Sequence, residues 1–338
     1  MLTYDALING DNAFIKQITR TTPNIPADTD YAHFLWQIYR EGKSPIRLIK
    51  ELNGIPIIQP ADTIEVRGTE FLRLNSFGDW EGTKLIQYTS FLLFKKYLEN
   101  DNWMDIMEEM RELGFDGPRF FLMCHNLASF NPSYSLSRLN DFVKLLNAKG
   151  QIPEVVVLAD AQYKLPVYID QQLFLNDVCS ALFDTTQLIE LGNEWKQNGF
   201  DPYRFYRPVN AKIISRGSGL GGEFPIIPAW DYSTIHNRRD LPKAMLIGRY
   251  IYFSIYGDPD GATPGTHGPV MDNEPLGAGD INIPGNRSND VHVFRRLARE
   301  AVSYGCGATF HYESGLRSEL ISPIQKECAK AFIQGAVI

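Results

Sequence analysis

Two glutamates, Glu194 and Glu274, stand at the ends of short hydrophobic runs about eighty residues apart: Leu188-Ile189-Glu190-Leu191-Gly192-Asn193-Glu194-Trp195 and Gly268-Pro269-Val270-Met271-Asp272-Asn273-Glu274. A parallel barrel delivers carboxylates at the C-terminal ends of separate strands, so that an acid/base and a nucleophile meet over one pocket. The chemistry such a pair performs is glycoside hydrolysis. In its retaining form one carboxyl group keeps its proton near neutral pH while its neighbour, about 5–5.5 Å away, stays ionised.

Such a pair needs a frame that alternates strands and helices. From about Thr63 onward, short runs rich in β-formers alternate with helical-period segments, the pattern of βα units on a parallel sheet. The predicted strands are Glu70 to Leu74, Arg119 to Met123, Val155 to Ala159, Gln187 to Leu191, Lys212 to Ser215, Ile226 to Trp230, Pro269 to Asn273 and Ala308 to Tyr312. Predicted helices cover Thr83–Glu99, Trp103–Leu113, Ser137–Lys149, Asp170–Phe183, Asp290–Tyr304 and Ser322–Gln334. Gly114, Gly150 and Gly305 each follow a helix where a left-handed C-cap is wanted. Between 196 and 225 helical periodicity fails, so irregular chain is expected in place of the fourth helix. The expected fold is an α/β (β/α)8 TIM barrel over 61–338. Residues 1–60, with helical spacing at Phe34, Leu35, Ile38, Ile46, Ile49 and Leu52, read as a small helical appendage.

Composition narrows the partners. The chain has 338 residues, 44% of them hydrophobic and 22% charged, enough to bury a full-sized core. A net charge of -7 argues against nucleic acid, whose phosphates need a cationic surface. No apolar run approaches the roughly 18 residues that span a bilayer, so no membrane insertion is expected. Cys124, Cys179, Cys306 and Cys328 are widely spaced and read as free thiols. No secretory signal is visible after Met1. That suits a cytoplasmic protein, a mature extracellular form, or one segment of a longer polypeptide with further domains.

Several segments together carry a resemblance. Gly114-Phe115-Asp116-Gly117-Pro118-Arg119-Phe120 runs from a helix into a strand, Asn193-Glu194 follows the fourth strand, Tyr232 and His236 lie in Trp230-Asp231-Tyr232-Ser233-Thr234-Ile235-His236, and Glu274 ends the seventh. In order and spacing these resemble clan A, the large superfamily of retaining barrel glycoside hydrolases that includes cellulases and mannanases. The likeness covers roughly 65 to 335. It implies that Glu194 is the acid/base, that Glu274 is the nucleophile, and that a strand-borne arginine, Arg119, supports Glu274. An opposite charge within about 4–6 Å lowers a carboxylate pKa, which is what the nucleophile requires. Asn193 is then a partner for a sugar hydroxyl, Trp195 and Trp230 offer faces for a sugar ring, and Tyr232 and His236 complete the sixth-strand contribution.

Other candidates come from strand ends alone. His125 and Asn126 follow the second strand, Asp160 and Gln162 the third, and His311 and Glu313 close the eighth, all as sugar contacts or as hydrogen-bonded scaffolding. His311, Glu313 and Glu190 lack the local spacing of a metal site, so no metal and no cofactor are expected. The cluster Gly217-Ser218-Gly219-Leu220-Gly221-Gly222 lacks a P-loop lysine and reads as a rim loop. In place of the clan's usual sixth-strand tyrosine stands Arg238, beside Arg239, which opens the reading toward an acidic sugar. The alternative from another class is a carbohydrate-binding or structural barrel without catalysis.

Overall fold

The computed structural model describes residues 64–74, 79–122, 132–159, 161–217, 230–236, 268–274, 291–311 and 323–337; for 132–135, 163–164 and 274 it describes the backbone alone. The expected helical appendage over 1–60 lies outside them.

The described chain opens with β1 (Ile64–Arg67), β2 (Glu70–Leu74) and β3 (Trp80–Thr83), a three-stranded antiparallel sheet. The next elements are β4 (Ile86–Thr89), α1 (Leu93–Leu98), α2 (Met104–Leu113), β5 (Gly117–Phe121), α3 (Pro132–Ala148), β6 (Glu154–Leu158), α4 (Ala161–Lys164), α5 (Tyr168–Ala181) and β7 (Leu188–Gly192). After them come β8 (Ile214–Ser215), β9 (Ser233–His236), β10 (Val270–Glu274), α6 (Val291–Ser303), β11 (Gly307–Phe310) and α7 (Pro323–Ala336). The last eight strands pair in the order β8-β7-β6-β5-β4-β11-β10-β9, parallel throughout. Chain order therefore follows sheet order around a nearly closed ring, which is a (β/α)8 barrel. At the seam, the Ile214 backbone N–H donates to Asp231 Oδ2 at 2.9 Å and Asp231 N–H donates to Ile214 O at 3.1 Å, tying β8 to the segment ahead of β9.

Strand residues alternate between two environments, as a pleat of period two requires. Outward residues Phe120, Val155, Val157, Ile189 and Leu191 pack with Phe142, Leu146, Phe174 and Val178 of the helices. Across the ring, Tyr88, Val270 and Phe310 pack with Phe294, Leu297 and Phe332 of α6 and α7. Each such side chain, fully buried, contributes about 1.5–3 kcal/mol. Facing inward are polar groups: Gln87, Arg119, Glu154, Glu190, Thr234, Asn273 and Thr309, all buried. Below them Ile64 and Phe71 of the small sheet join Leu85, Ile152, Leu188, Ile213, Tyr232 and Met271 in one cluster that plugs the N-terminal mouth. Arg73 reinforces the plug by donating to Asp116 Oδ1 at 2.9 Å, while Asp116 Oδ2 accepts from Ile86 N–H.

The expected barrel holds, with two strands reassigned. Glu70–Leu74 is the middle strand of the antiparallel sheet, and the barrel's first strand is Ile86–Thr89, inside a segment expected to be helical. Leu85, Tyr88 and Leu92 fall at i, i+3 and i+7, which imitates a helix face, but Ile86, Tyr88 and Thr89 are β-formers and Gln87 and Thr89 turn inward. The sixth strand is Ser233–His236 where Ile226 to Trp230 was expected; 226–229 lie outside the described residues. Gly114, Gly150 and Gly305 all carry the expected positive φ. Between β7 and β8 the chain forms only a 3-10 turn, Pro202–Arg204, and Trp195, Phe200, Phe205 and Ala211 cover the strands where a helix would lie.

Candidate active site

The C-terminal mouth of the ring is built over a buried charged layer. Arg119 of β5 is wholly buried, and its Nε and Nη2 both reach Glu190 Oε2 of β7 at 2.8 Å. Glu190 also accepts from Asn273 Nδ2 at 3.2 Å and from Thr234 Oγ1 at 3.3 Å, while Thr309 Oγ1 donates to Asn273 Oδ1 at 2.9 Å. One carboxylate thus binds four strands of the ring together. The Arg119 guanidinium carbon lies 4.9 Å from the centre of the Phe121 ring. A deeper carboxyl group, Glu154 of β6, has Oε2 3.7 Å from Arg119 Nε, and the Tyr232 hydroxyl lies 2.7 Å from its Oε1. Burial, then the neighbouring charge of Glu190, push Glu154 up to about 7, with Arg119 opposing.

Arg119 passes this order upward. Its Nη2 donates to Asn193 Oδ1 at 2.8 Å. Arginine has no acceptor, so the contact fixes which way the amide lies and leaves Asn193 Nδ2 as a donor. The next residue, Glu194, has φ of 43°, left-handed for a residue with a side chain. That turn is over-determined: Glu194 O accepts from the backbone N–H groups of Gln197 at 2.9 Å and Asn198 at 3.0 Å, and Asn198 Nδ2 donates to Asn193 O at 2.8 Å. The Glu194 side chain is 13% exposed, and its Oε1 lies 3.4 Å from His236 Nδ1.

His236 is the hinge of the arrangement. It ends β9, is buried, and is the ladder partner of Glu274 at the end of β10, where the register shifts between Asp272 and Glu274. Adjacent strands run about 4.7–4.9 Å apart. The backbone that carries Glu274 therefore stands one strand spacing from the histidine that contacts Glu194. His311, just past β11, is buried beside this rim, with Nδ1 3.3 Å from Thr89 Oγ1 and the Phe91 ring edge-on at 5.7 Å.

Of the residues singled out in the sequence, Asn193, Glu194, His236, His311 and the backbone of Glu274 gather at this mouth, with Arg119 directly beneath. Two aromatic candidates do not. Trp195 is 6% exposed and packs in the core edge-on to Tyr203, so its ring is closed to a sugar. Tyr232 is fully buried at the opposite end, edge-on to Phe71, because β9 begins after it rather than ending with it. The half-buried Trp230 ring lies under the guanidinium of Arg216, the residue that follows β8, at 4.5 Å. Arg119 pairs with Glu190, and the side chain of Glu274, its expected partner, lies outside the described residues. His125, Asn126, Asp160 and Glu313, with Arg238 and Arg239, lie outside the described residues.

Sequence reasoning missed the depth of the charged layer. Glu154 and Glu190 occupy the inward parity of their strands, two residues ahead of Val156 and Gly192, and a charge in that phase of an all-buried run was the available signal. Asn198 gave no comparable signal, because its role rests on a turn. Among the described residues no group of three or more His, Cys, Asp or Glu is placed to hold a metal ion, and no helix is long and apolar enough to cross a membrane. A cleft lined by Thr69, Glu70, Lys84 and Tyr304 opens at the other end of the ring and shares no residue with this mouth.

Known structures share this architecture. A glycoside hydrolase family 5 protein from Bacteroides vulgatus superposes with a TM-score of 0.53 at 12% identity, over 75% of this chain and 63% of its own. The chain thus spans less than two thirds of that protein. A beta-glucanase from Saccharophagus degradans superposes with a TM-score of 0.53 at 13% identity, over 82% of this chain and 96% of its own. Its complex with cellotetraose gives the same TM-score over 83% and 97%. Identities this low establish a common fold. No protein-family model matches the chain, and no curated protein matches it in sequence.

Proposed function

We propose that the chain is a retaining glycoside hydrolase acting on a poly- or oligosaccharide by double displacement, with Glu194 as acid/base and Glu274 as nucleophile. The observation that carries this reading is His236, whose ring contacts Glu194 and whose backbone neighbours Glu274. The barrel likeness supports it, since one solved structure that shares the fold is named as a glycoside hydrolase and another, a beta-glucanase, is in complex with cellotetraose.

In the first step Glu194 protonates the leaving glycosidic oxygen while Glu274 attacks the anomeric carbon, giving a covalent glycosyl-enzyme. In the second step Glu194, now a carboxylate, takes a proton from water, which attacks the same carbon and releases Glu274. His236 steadies the Glu194 carboxyl. Asn193, its amide set by Arg119, donates to a sugar hydroxyl as charge develops in the transition state. No metal or cofactor enters this scheme.

The test is hydrolysis of a panel of β-linked oligosaccharides, cellotetraose first, by the native protein and by Glu194→Gln and Glu274→Gln. Native protein is expected to release reducing ends. Each variant loses about 10²–10⁴-fold in turnover while its circular dichroism stays native. Undiminished hydrolysis by either variant refutes the assignment. A carbohydrate-binding barrel without catalysis is the second reading, favoured by the burial of Trp195 and Tyr232, two of the expected sugar contacts. Tight oligosaccharide binding by native protein with no product selects it.

A further inference from the structure

We propose that Glu154 is carried as a neutral carboxylic acid in the barrel interior, and that its proton keeps Arg119 committed to Glu190 and Asn193, making Glu154 a positioning residue for the mouth above. The first support is a hydrogen count. The Tyr232 hydroxyl has one hydrogen but lies 2.7 Å from Glu154 Oε1 and 3.1 Å from the Ile189 carbonyl. If Glu154 is ionised, both neighbours are acceptors and the single Tyr232 hydrogen serves only one of the two contacts. If Glu154 holds a proton, it donates to the Tyr232 oxygen, Tyr232 donates to Ile189, and both contacts are satisfied.

The second support is a charge count. Glu154, Glu190 and Arg119 are each fully buried, two carboxyl groups around one guanidinium. Two ionised carboxylates would leave an unmatched buried negative charge. The distances choose between them: Arg119 sits at hydrogen-bond distance from Glu190, 2.8 Å, and beyond it from Glu154, 3.7 Å. The groups facing Glu154 are Arg119 on β5, Glu190 on β7, Tyr232 ahead of β9 and Asn273 on β10, so the guanidinium is the one cation among its described neighbours. When Glu154 ionises, it competes with Glu190 for that cation, and the Arg119 contact to Asn193 loosens. The direction given by burial agrees.

The proton itself is observable without any substrate. Infrared spectroscopy of native protein near pH 6 should show the carbonyl stretch of a buried neutral acid, absent from Glu154→Gln and titrating away above neutrality. Glutamine keeps the shape and a donor, so Glu154→Gln should fold. A carboxyl whose folded value lies above its unfolded one adds stability at acid pH and loses it as pH rises through neutrality. The native melting temperature should therefore fall between pH 5 and pH 8 more than that of Glu154→Gln, by about the contribution of one titrating group. Native protein without the band, or a band unchanged in Glu154→Gln, overturns the proposal.

The link to the mouth rests on the glycosidase reading and is tested apart from it. On the glycan cleaved by native protein, KM should rise as Glu154 ionises, and Glu154→Gln should remove that rise while the Glu194-dependent profile of kcat remains. An unchanged KM profile in Glu154→Gln ends the positioning role. Loss of the glycosidase reading would leave the infrared and melting results untouched.

Discussion

Glu194 is held in a backbone conformation that a side-chain-bearing residue seldom adopts, and Asn198 is what holds it. Asn198→Ala removes the donor to the Asn193 carbonyl and is expected to cost about 1–3 kcal/mol in urea unfolding. Turnover should fall further than stability, because a tilted Glu194 no longer lines up with the leaving oxygen. Arg119→Lys tests the layer beneath. A lysine is a point charge and cannot serve Glu190 and Asn193 at once, and breaking a buried pair costs about 3–5 kcal/mol, to be read from denaturant midpoints. At this scale the sequence disclosed residue types better than residue duties. Asn193-Glu194 and His236 were legible because they end strands. Trp195 was misjudged because the chain past β7 turns it into the core, and Tyr232 because β9 begins after it and leaves it at the floor.

Elements were legible wherever periodicity spoke plainly and opaque where two periodicities coincide. Glu154–Leu158 and Leu188–Gly192 are buried throughout and read as parallel strands from composition alone. Ile86–Thr89 was hidden by the helical spacing of Leu85, Tyr88 and Leu92. The hairpin of β1 and β2 did leave a signal, since Gly68, at φ of 60°, opens a two-residue connection between Arg67 and Glu70. Close approach of backbones fixes another glycine: Gly217 has φ of 85°, and a Cβ there would stand 1.9 Å from the Gly192 carbonyl oxygen. Gly217→Ala must therefore shift the end of β8 against β7, just below Asn193. The expected result is a lower melting temperature in differential scanning calorimetry, with a loss greater than the ~1 kcal/mol of an ordinary surface substitution.

The described residues form a ring plugged at its N-terminal end. The plug explains why Glu70–Leu74 could be mistaken for a barrel strand: it has strand composition, but it buries Phe71 against Tyr232 and Met271 from outside the ring. Phe71→Ala should empty that contact at a cost of about 3–5 kcal/mol by urea denaturation. Chain order around the ring puts Glu194 after its fourth strand and Glu274 at the end of its seventh. Two residues about eighty positions apart thereby come to one rim on either side of His236. Incubation with a mechanism-based fluorosugar, followed by peptide mass spectrometry, tests that convergence most directly. One stoichiometric glycosyl adduct on Glu274, absent from Glu274→Gln, is the predicted outcome; a stable adduct on any other residue, or cleavage of a glycan with inverted configuration and no adduct, would contradict it.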